Sequence, residues 1–204
     1  RGGALLPIFS LPSLFGIGDF GPEAFRFLEI LQNLHLCYWH ILPLCPTEVG
    51  RGNSPYSASS AFALNPLFIS PEKMLEEKLA KREDLGVLFP FPTGRVLYPK
   101  VEQWKKSFLI RTWKRNRQSK ILKEEIDSFR KKHSFWLGDY ALFSCLKSRN
   151  HGSPWNLWQA SSDKKTFEEQ EFKDDLEFEC YLQYILFHQW QNIHDYAQKM
   201  GIMI

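Results

Sequence analysis

No stretch of this chain is both long and apolar enough to cross a bilayer. The longest charge-free runs, Ile30 to Thr47 and Gly52 to Pro71, each carry two or more prolines together with Ser, Asn or His, whereas a spanning helix needs about 20 consecutive, predominantly apolar residues. Cysteine is scarce, with four residues in 204, at positions 37, 45, 145 and 180. They lie too far apart for a CxxC clamp and sit in apolar surroundings such as HLCYWHILPLC, which reads as buried reduced thiols in a reducing compartment. The six histidines show no HExxH and no i, i+4 pair, and His188 and His194 do not share a helix face, so no metal-binding pattern is present. P-loop and GxSxG signatures are missing, which leaves P-loop nucleotide and α/β-hydrolase chemistry unsupported. Internal repeats and low-complexity tracts are missing too.

What remains is the make-up of a packed globular protein: 44% hydrophobic, 15% aromatic with 17 Phe and 7 Trp, and 24% charged. The net charge of +3 implies no polyanionic partner by itself. Positive charge is nevertheless concentrated between Lys105 and Lys132, where 11 Lys or Arg face 3 acidic residues. Clustered cations are what a nucleic-acid surface needs. Leu122, Ile126 and Phe129 recur at helical spacing within the same stretch, so it also reads as one long amphipathic helix with its cations in solvent. The opening Arg1 to Gly18 is interrupted by Pro7 and Pro12 and is read as mature structure rather than a leader.

The apolar run ALLPIF, bounded by turn formers, predicts a buried strand. SLPSLFGIGDFG is loop, and Gly21, Pro22 and Glu23 then supply a helix start, with proline at the first helical position and a carboxylate near the positive end. Ala24, Phe27, Leu28 and Leu31 hold the i, i+3, i+4, i+7 spacing, and Phe25, Ile30 and Leu34 widen the stripe. YWHILPL reads as a second strand, apolar on both faces as in a parallel sheet. Strand, helix and strand in some forty residues form a right-handed βαβ unit and make the class α/β. In such sheets chemistry collects beyond the carboxyl ends of the strands, which points to CPTEVGRGNSPYSASSAFALNP. From Ser70 to about His133 several prolines punctuate helical stretches. Helical periodicity resumes through FWLGDYALFSCLK, breaks at HGSPWNLWQ, and returns from Asp174 to Lys199 with Gly201 as a stop. Ile202, Met203 and Ile204 then look like the start of another strand.

The succession ALLPIFSLPSLFGIGDFGPEAFRFLEIL, YWHILPLCPT, GNSPYSASSAFALNPLFI and WLGDYALFSCLK with SPWNLW resembles the bacterial and plastid 4-alpha-glucanotransferases, also called amylomaltases or disproportionating enzymes. The match covers nearly the whole chain, and GIGDFGPEAF together with SPYSASSAFALNP carries its specificity. The resemblance implies the N-terminal part of a (β/α)8 TIM barrel, incomplete in this chain, with a largely helical inserted subdomain. Its segments would be residues 1–70 with the first β/α units and the substrate loop, 71–133 as the insertion, and 134–204 returning to the barrel. It implies retaining transfer of α-1,4-glucan segments between maltooligosaccharides, without a cofactor, a membrane or a nucleic-acid partner. The two carboxyl groups that retention requires would lie on strands after Ile204, so no catalytic residue is expected among these 204 and the piece alone should be inactive.

Within the family pattern, Ser54 and Tyr56 match the SPY positions and Asn53 precedes them, and these three are the expected substrate-binding residues. Tyr56 would offer an apolar ring face and a hydroxyl to the sugar, or would merely cap the barrel. Departures are Asn53 where relatives often carry Asp, His40 where they usually carry Gln, and Pro7 in place of a usual His. Asp19 is read as a loop or cap residue rather than a catalytic carboxylate, and Asp139 as a structural hydrogen-bonder. Trp155 and Trp158 are open to either a glucan groove or packing. Competing readings are a noncatalytic glucan-binding module built on the same Tyr and Trp residues, and a nucleic-acid binder using Lys105 to Lys132. A cytoplasmic location is expected.

Overall fold

The computed structural model describes residues 2–158 and 169–204. Two three-residue strands, β1 (Gly3–Leu5) and β2 (Tyr38–His40), pair in parallel with Ala4 opposite Trp39. Between them runs α1 (Pro22–Asn33), with Gly21 as N-cap and proline at its first position, so the expected βαβ unit forms. Beyond β2, Met203 makes a parallel bridge to Tyr38, with Trp39 N–H donating to Met203 O at 2.9 Å and Met203 N–H to Cys37 O at 2.9 Å. The expected third strand is represented among the described residues by this single bridge, after a stop at Gly201 whose φ is +71°.

Both strands are shorter than the apolar runs suggest. Pro7 has no N–H to give to a ladder, and a 3₁₀ turn, Ile8–Ser10, follows it directly. In β2 only Trp39 is buried, while Tyr38 and His40 are exposed. The expectation of burial on both faces is thus corrected among the described residues. Helix α1 covers one side of the strand, with the Phe27 ring edge-on to Trp39 at 4.9 Å, and the other side is open. The α1 stripe is narrower than expected as well. Ala24, Leu28 and Leu31 are buried, whereas Ile30 and Leu34 are exposed. Each fully buried leucine contributes about 1.5–3 kcal/mol.

Helix α2 (Pro71–Glu76) starts at Ser70, whose hydroxyl accepts from Lys73 N–H. Helix α3 (Tyr98–Asn116) and helix α4 (Lys120–Lys132) replace the single long basic helix that the periodicity predicts. The break is at Ser119, whose side chain caps α4 by accepting from Leu122 N–H. An N-cap of this kind offers the chain an alternative to continuing the helix. Helix α5 (Leu137–Arg149) carries an exposed Asp139 in its first turn, and α6 (Glu169–Lys199) is the longest element. No helix among the described residues is long and apolar enough to cross a membrane.

Contacts divide the chain into two compact units, Arg1–Asn116 with Ile185–Ile204, and Arg117–Tyr184. The first holds the strands, α1 to α3 and the C-terminal half of α6. Phe20, fully buried there, packs against Phe68 at 5.6 Å and Trp190 at 5.4 Å. Gln189, also buried, closes a double hydrogen bond with the backbone of Ser70. The second unit is built on α4, α5 and the N-terminal half of α6. Its Cys145 and Cys180 are buried, and burial pushes their thiols up to about 12 and about 11. Cys37 and Cys45, by contrast, are only half-buried, and all four are free thiols. In the break at HGSPWNLWQ, Trp158 donates to Ser153 O at 2.8 Å and packs on Phe143, while Trp155 is exposed. Gln159, at the end of that break, lies outside the described residues.

Candidate functional site

Parallel pairing places the carboxyl ends of β1 and β2 at one edge, so the segments that follow them meet there. The join is fastened twice, by Leu6 N–H donating to His40 O at 3.0 Å and by the Trp39 indole N–H donating to Leu6 O at 2.8 Å. After β1 the chain doubles back so tightly that a Cβ at Gly18 would lie 2.0 Å from Ile8 O. After β2 a long loop is drawn closed by Asn65 N–H donating to Leu44 O at 2.8 Å and by Ser59 N–H donating to Pro46 O at 3.3 Å.

The three expected substrate residues lie in this loop, in unlike environments. Asn53 is buried at 8% exposure and adopts a left-handed φ of +53°, a conformation in which Asn is the most tolerated non-glycine residue alongside Asp and His. Its Oδ1 accepts from Thr47 Oγ1 at 3.1 Å, and its N–H donates to Glu48 O at 2.9 Å. Ser54 is half-buried, its Oγ accepting from Tyr56 N–H at 3.3 Å and its carbonyl from Ser57 N–H at 3.0 Å. Tyr56 is 75% exposed. Sequence proximity therefore puts Asn53 inside the loop and Tyr56 on its surface.

Two residues that sequence reasoning passed over hold the loop together. The Thr47 hydroxyl donates to Asn53 and accepts from Asn65 Nδ2 at 3.1 Å, and Asn65 Oδ1 accepts from Leu67 N–H at 3.0 Å. A hydroxyl has one proton and an asparagine both donor and acceptor, so the chain of bonds is self-consistent. Thr47, Asn53 and Asn65 border a void of about 10 Å³ together with Phe9, Ile17 and Tyr98, which is at or below the size needed for one water. On the far side of Phe9, Ile17 and Tyr98 opens a cleft of about 550 Å³ between residues 9–18 and 92–98. Ser10, Ser13 and Arg95 line it along with the Phe9 and Tyr98 rings, a mixture of apolar faces and hydrogen-bonding groups suited to a polyhydroxylated ligand. Burial pushes the Tyr98 phenol up. The signal for this wall in the sequence is FPTGRVLY, an aromatic beside a Gly- and Pro-rich loop.

Asp19 sits in the loop before α1, 5% exposed, and pairs with the equally buried Lys105 of α3 at 3.3 Å. Burial pushes its carboxyl up, opposed by Lys105 and by hydrogen bonds from Ser70 and Gly21 N–H. Burial also pulls the Lys105 ammonium down, opposed by Asp19, and that ammonium donates to Leu67 O as well. The loop placement expected for Asp19 holds. Its role is to fasten loop to helix, since the carboxylate is enclosed by its partners. Among the described residues no group of three or more His, Cys, Asp or Glu could hold a metal ion.

Comparison with known proteins places this geometry. The family model described as 4-alpha-glucanotransferase matches residues 6–204. The 4-alpha-glucanotransferase of Aquifex aeolicus is 40% identical over 99% of this chain, and that of Thermus thermophilus is 36% identical over 99%. This chain spans about two fifths of the length of these curated relatives, 41% of each. Among solved structures, the amylomaltase from Streptococcus agalactiae in complex with acarbose superposes with a TM-score of 0.92 at 26% identity, covering all of this chain and 42% of that one. With the family model matched over residues 6–204 and relatives similar along almost all of its length, the chain belongs to the 4-alpha-glucanotransferase family.

Proposed function

We propose that the protein carrying these residues transfers α-1,4-glucan segments from one maltooligosaccharide to another with retention of configuration, needing neither nucleotide sugar nor cofactor. The observation that carries this reading is the exposed Tyr56 on a pinned loop at the carboxyl edge of parallel strands. Tyr56, with Ser54 shaping its turn, forms a platform for a sugar ring. The aromatic face covers the apolar C–H surface of the sugar and the phenol is free to hydrogen-bond its hydroxyls. Asn53 contributes from within the loop.

In this reading residues 1–70 are the opening of a (β/α)8 barrel, 71–133 an inserted helical region and 134–204 the return to the barrel. The open face of β2, with Tyr38 and His40 exposed, becomes barrel interior once further strands close around it. The reacting carboxyl pair, about 5 to 5.5 Å apart as retention requires, belongs to strands that follow Ile204. Transfer outcompetes hydrolysis when the glycosyl-enzyme meets a sugar hydroxyl in a site that excludes water. A cytoplasmic location accords with the free thiols.

The test is to incubate the full-length protein with maltotriose and follow the products. Glucose together with maltooligosaccharides longer than the substrate is expected. Unchanged maltotriose, or maltose and glucose with no longer product, counts against transfer.

A further inference from the structure

We propose that Thr47 and Asn65 are positioning residues for the glucan, acting through Asn53 to set the aim of the Tyr56 ring without touching sugar themselves. This rests on the reading of Tyr56 as the sugar platform.

The ring of Tyr56 is 75% exposed, and among the described residues it makes no hydrogen bond or ring contact. Its direction is therefore set by the backbone of residues 53–57, and that backbone is set by Asn53. A left-handed φ of +53° at a residue with a side chain is sustained only where surrounding contacts hold it. Here the backbone N–H of Asn53 donates to Glu48 O at 2.9 Å and its side chain is held by the hydrogen bond from Thr47 Oγ1 to Asn53 Oδ1, with Thr47 oriented in turn by Asn65 Nδ2, these two at 3.1 Å each. Asn65 is itself fixed, 5% exposed, with its backbone N–H on Leu44 O and its Oδ1 on Leu67 N–H. The relay thus ties the loop's beginning, its turn and its end to one point. None of the three polar side chains is placed to meet a ligand directly. Asn53 and Asn65 are buried, and the void they border with Thr47 has room for about one water at most.

The experiment uses the full-length protein and steady-state kinetics with maltotriose. Thr47→Val keeps the shape of the side chain and can neither donate nor accept. It is expected to raise KM about fivefold to tenfold with kcat within about twofold, the pattern of lost substrate positioning rather than lost chemistry. Thr47→Ser, which keeps the hydroxyl, restores wild-type KM. Tyr56→Ala raises KM as well, and the double variant Thr47→Val with Tyr56→Ala is no worse than Tyr56→Ala alone, because the relay acts only through that ring. Asn53→Gly accepts the positive φ and removes the acceptor, so it carries the same prediction if Thr47→Val fails to fold. Wild-type KM in Thr47→Val or Asn53→Gly, multiplying effects in the double variant, or failure of serine to rescue would each overturn the relay while leaving the platform standing. Wild-type KM in Tyr56→Ala would sink the platform and the relay with it.

Discussion

Gly18 shows how much a single residue decides at this edge of the molecule. A Cβ there would lie 2.0 Å from Ile8 O, 2.7 Å from Leu11 N and 2.8 Å from Leu11 O, all backbone atoms that no rotamer change can move. Gly18→Ala is therefore expected to destabilise the full-length protein by at least the 1–3 kcal/mol typical of overpacking, about 3 kcal/mol here. Gly138→Ala, with nothing within 4 Å of its Cβ and a place in α5, should be neutral or stabilising by up to about 1 kcal/mol. Calorimetric melting of both variants checks the pair, and equal midpoints would remove the argument from close approach. The glycine itself was legible in GIGDFG as part of a loop. That it is required by backbone packing was not, because its neighbours Ile8 and Leu11 come together only in the fold. Asn53 illustrates the same limit. Its position in the SPY loop can be read from sequence, but its inward orientation depends on Thr47 and Asn65, 6 and 12 positions away in the chain.

At the scale of elements, the 3₁₀ turn Arg82–Leu85 is bound to α3 by Asp84. Both carboxylate oxygens of Asp84 accept from Arg115, at 2.8 Å each, and Oδ2 also accepts from Lys81 N–H at 2.8 Å. Hydrogen bonds from the Arg115 guanidinium hold this carboxyl below the usual carboxylate range. A depressed folded-state value means that the ion pair stabilises above the ordinary carboxylate value of about 3.9 and that this contribution is lost as pH falls through the folded value. Asp84→Asn is accordingly expected to cost about 1–3 kcal/mol near neutral pH, with the gap to wild type narrowing in acid. Denaturation midpoints at pH 7 and below pH 4 measure it, and a gap independent of pH would contradict the assignment. Elements with strong local signals, such as α1 with Gly21, Pro22 and Glu23 ahead of a periodic stripe, were readable in the sequence. The division of the basic stretch into α3 and α4 is not marked by the apolar spacing, since Leu122, Ile126 and Phe129 all follow Ser119 and residues 114–120 are polar throughout; the break is made by the Ser119 cap.

For the molecule as a whole, β1 presents an open edge among the described residues. Leu5 is 61% exposed and Met203 is 50% exposed, and among the described residues β1 has a neighbour on one edge alone. Unpaired edges with apolar side chains invite association. A polypeptide limited to residues 1–204 is expected to self-associate and to leave maltotriose untouched, since the proposed carboxyl pair lies elsewhere. Light scattering and the same product assay read both, and turnover by this piece would overturn the placement of the catalytic groups.

The βαβ opening and the location of the long loop beyond β2 follow from the sequence alone, because strand-forming runs, helix starts and turn residues act over a few neighbouring positions. Which side chains in that loop face outward, the pairing of Asp19 with Lys105 across 86 positions, and the cleft beside Tyr98 were decided only by tertiary structure. Burial and hydrogen-bond partnership are properties of residues brought together from distant parts of the chain, and no local pattern encodes which of them will meet.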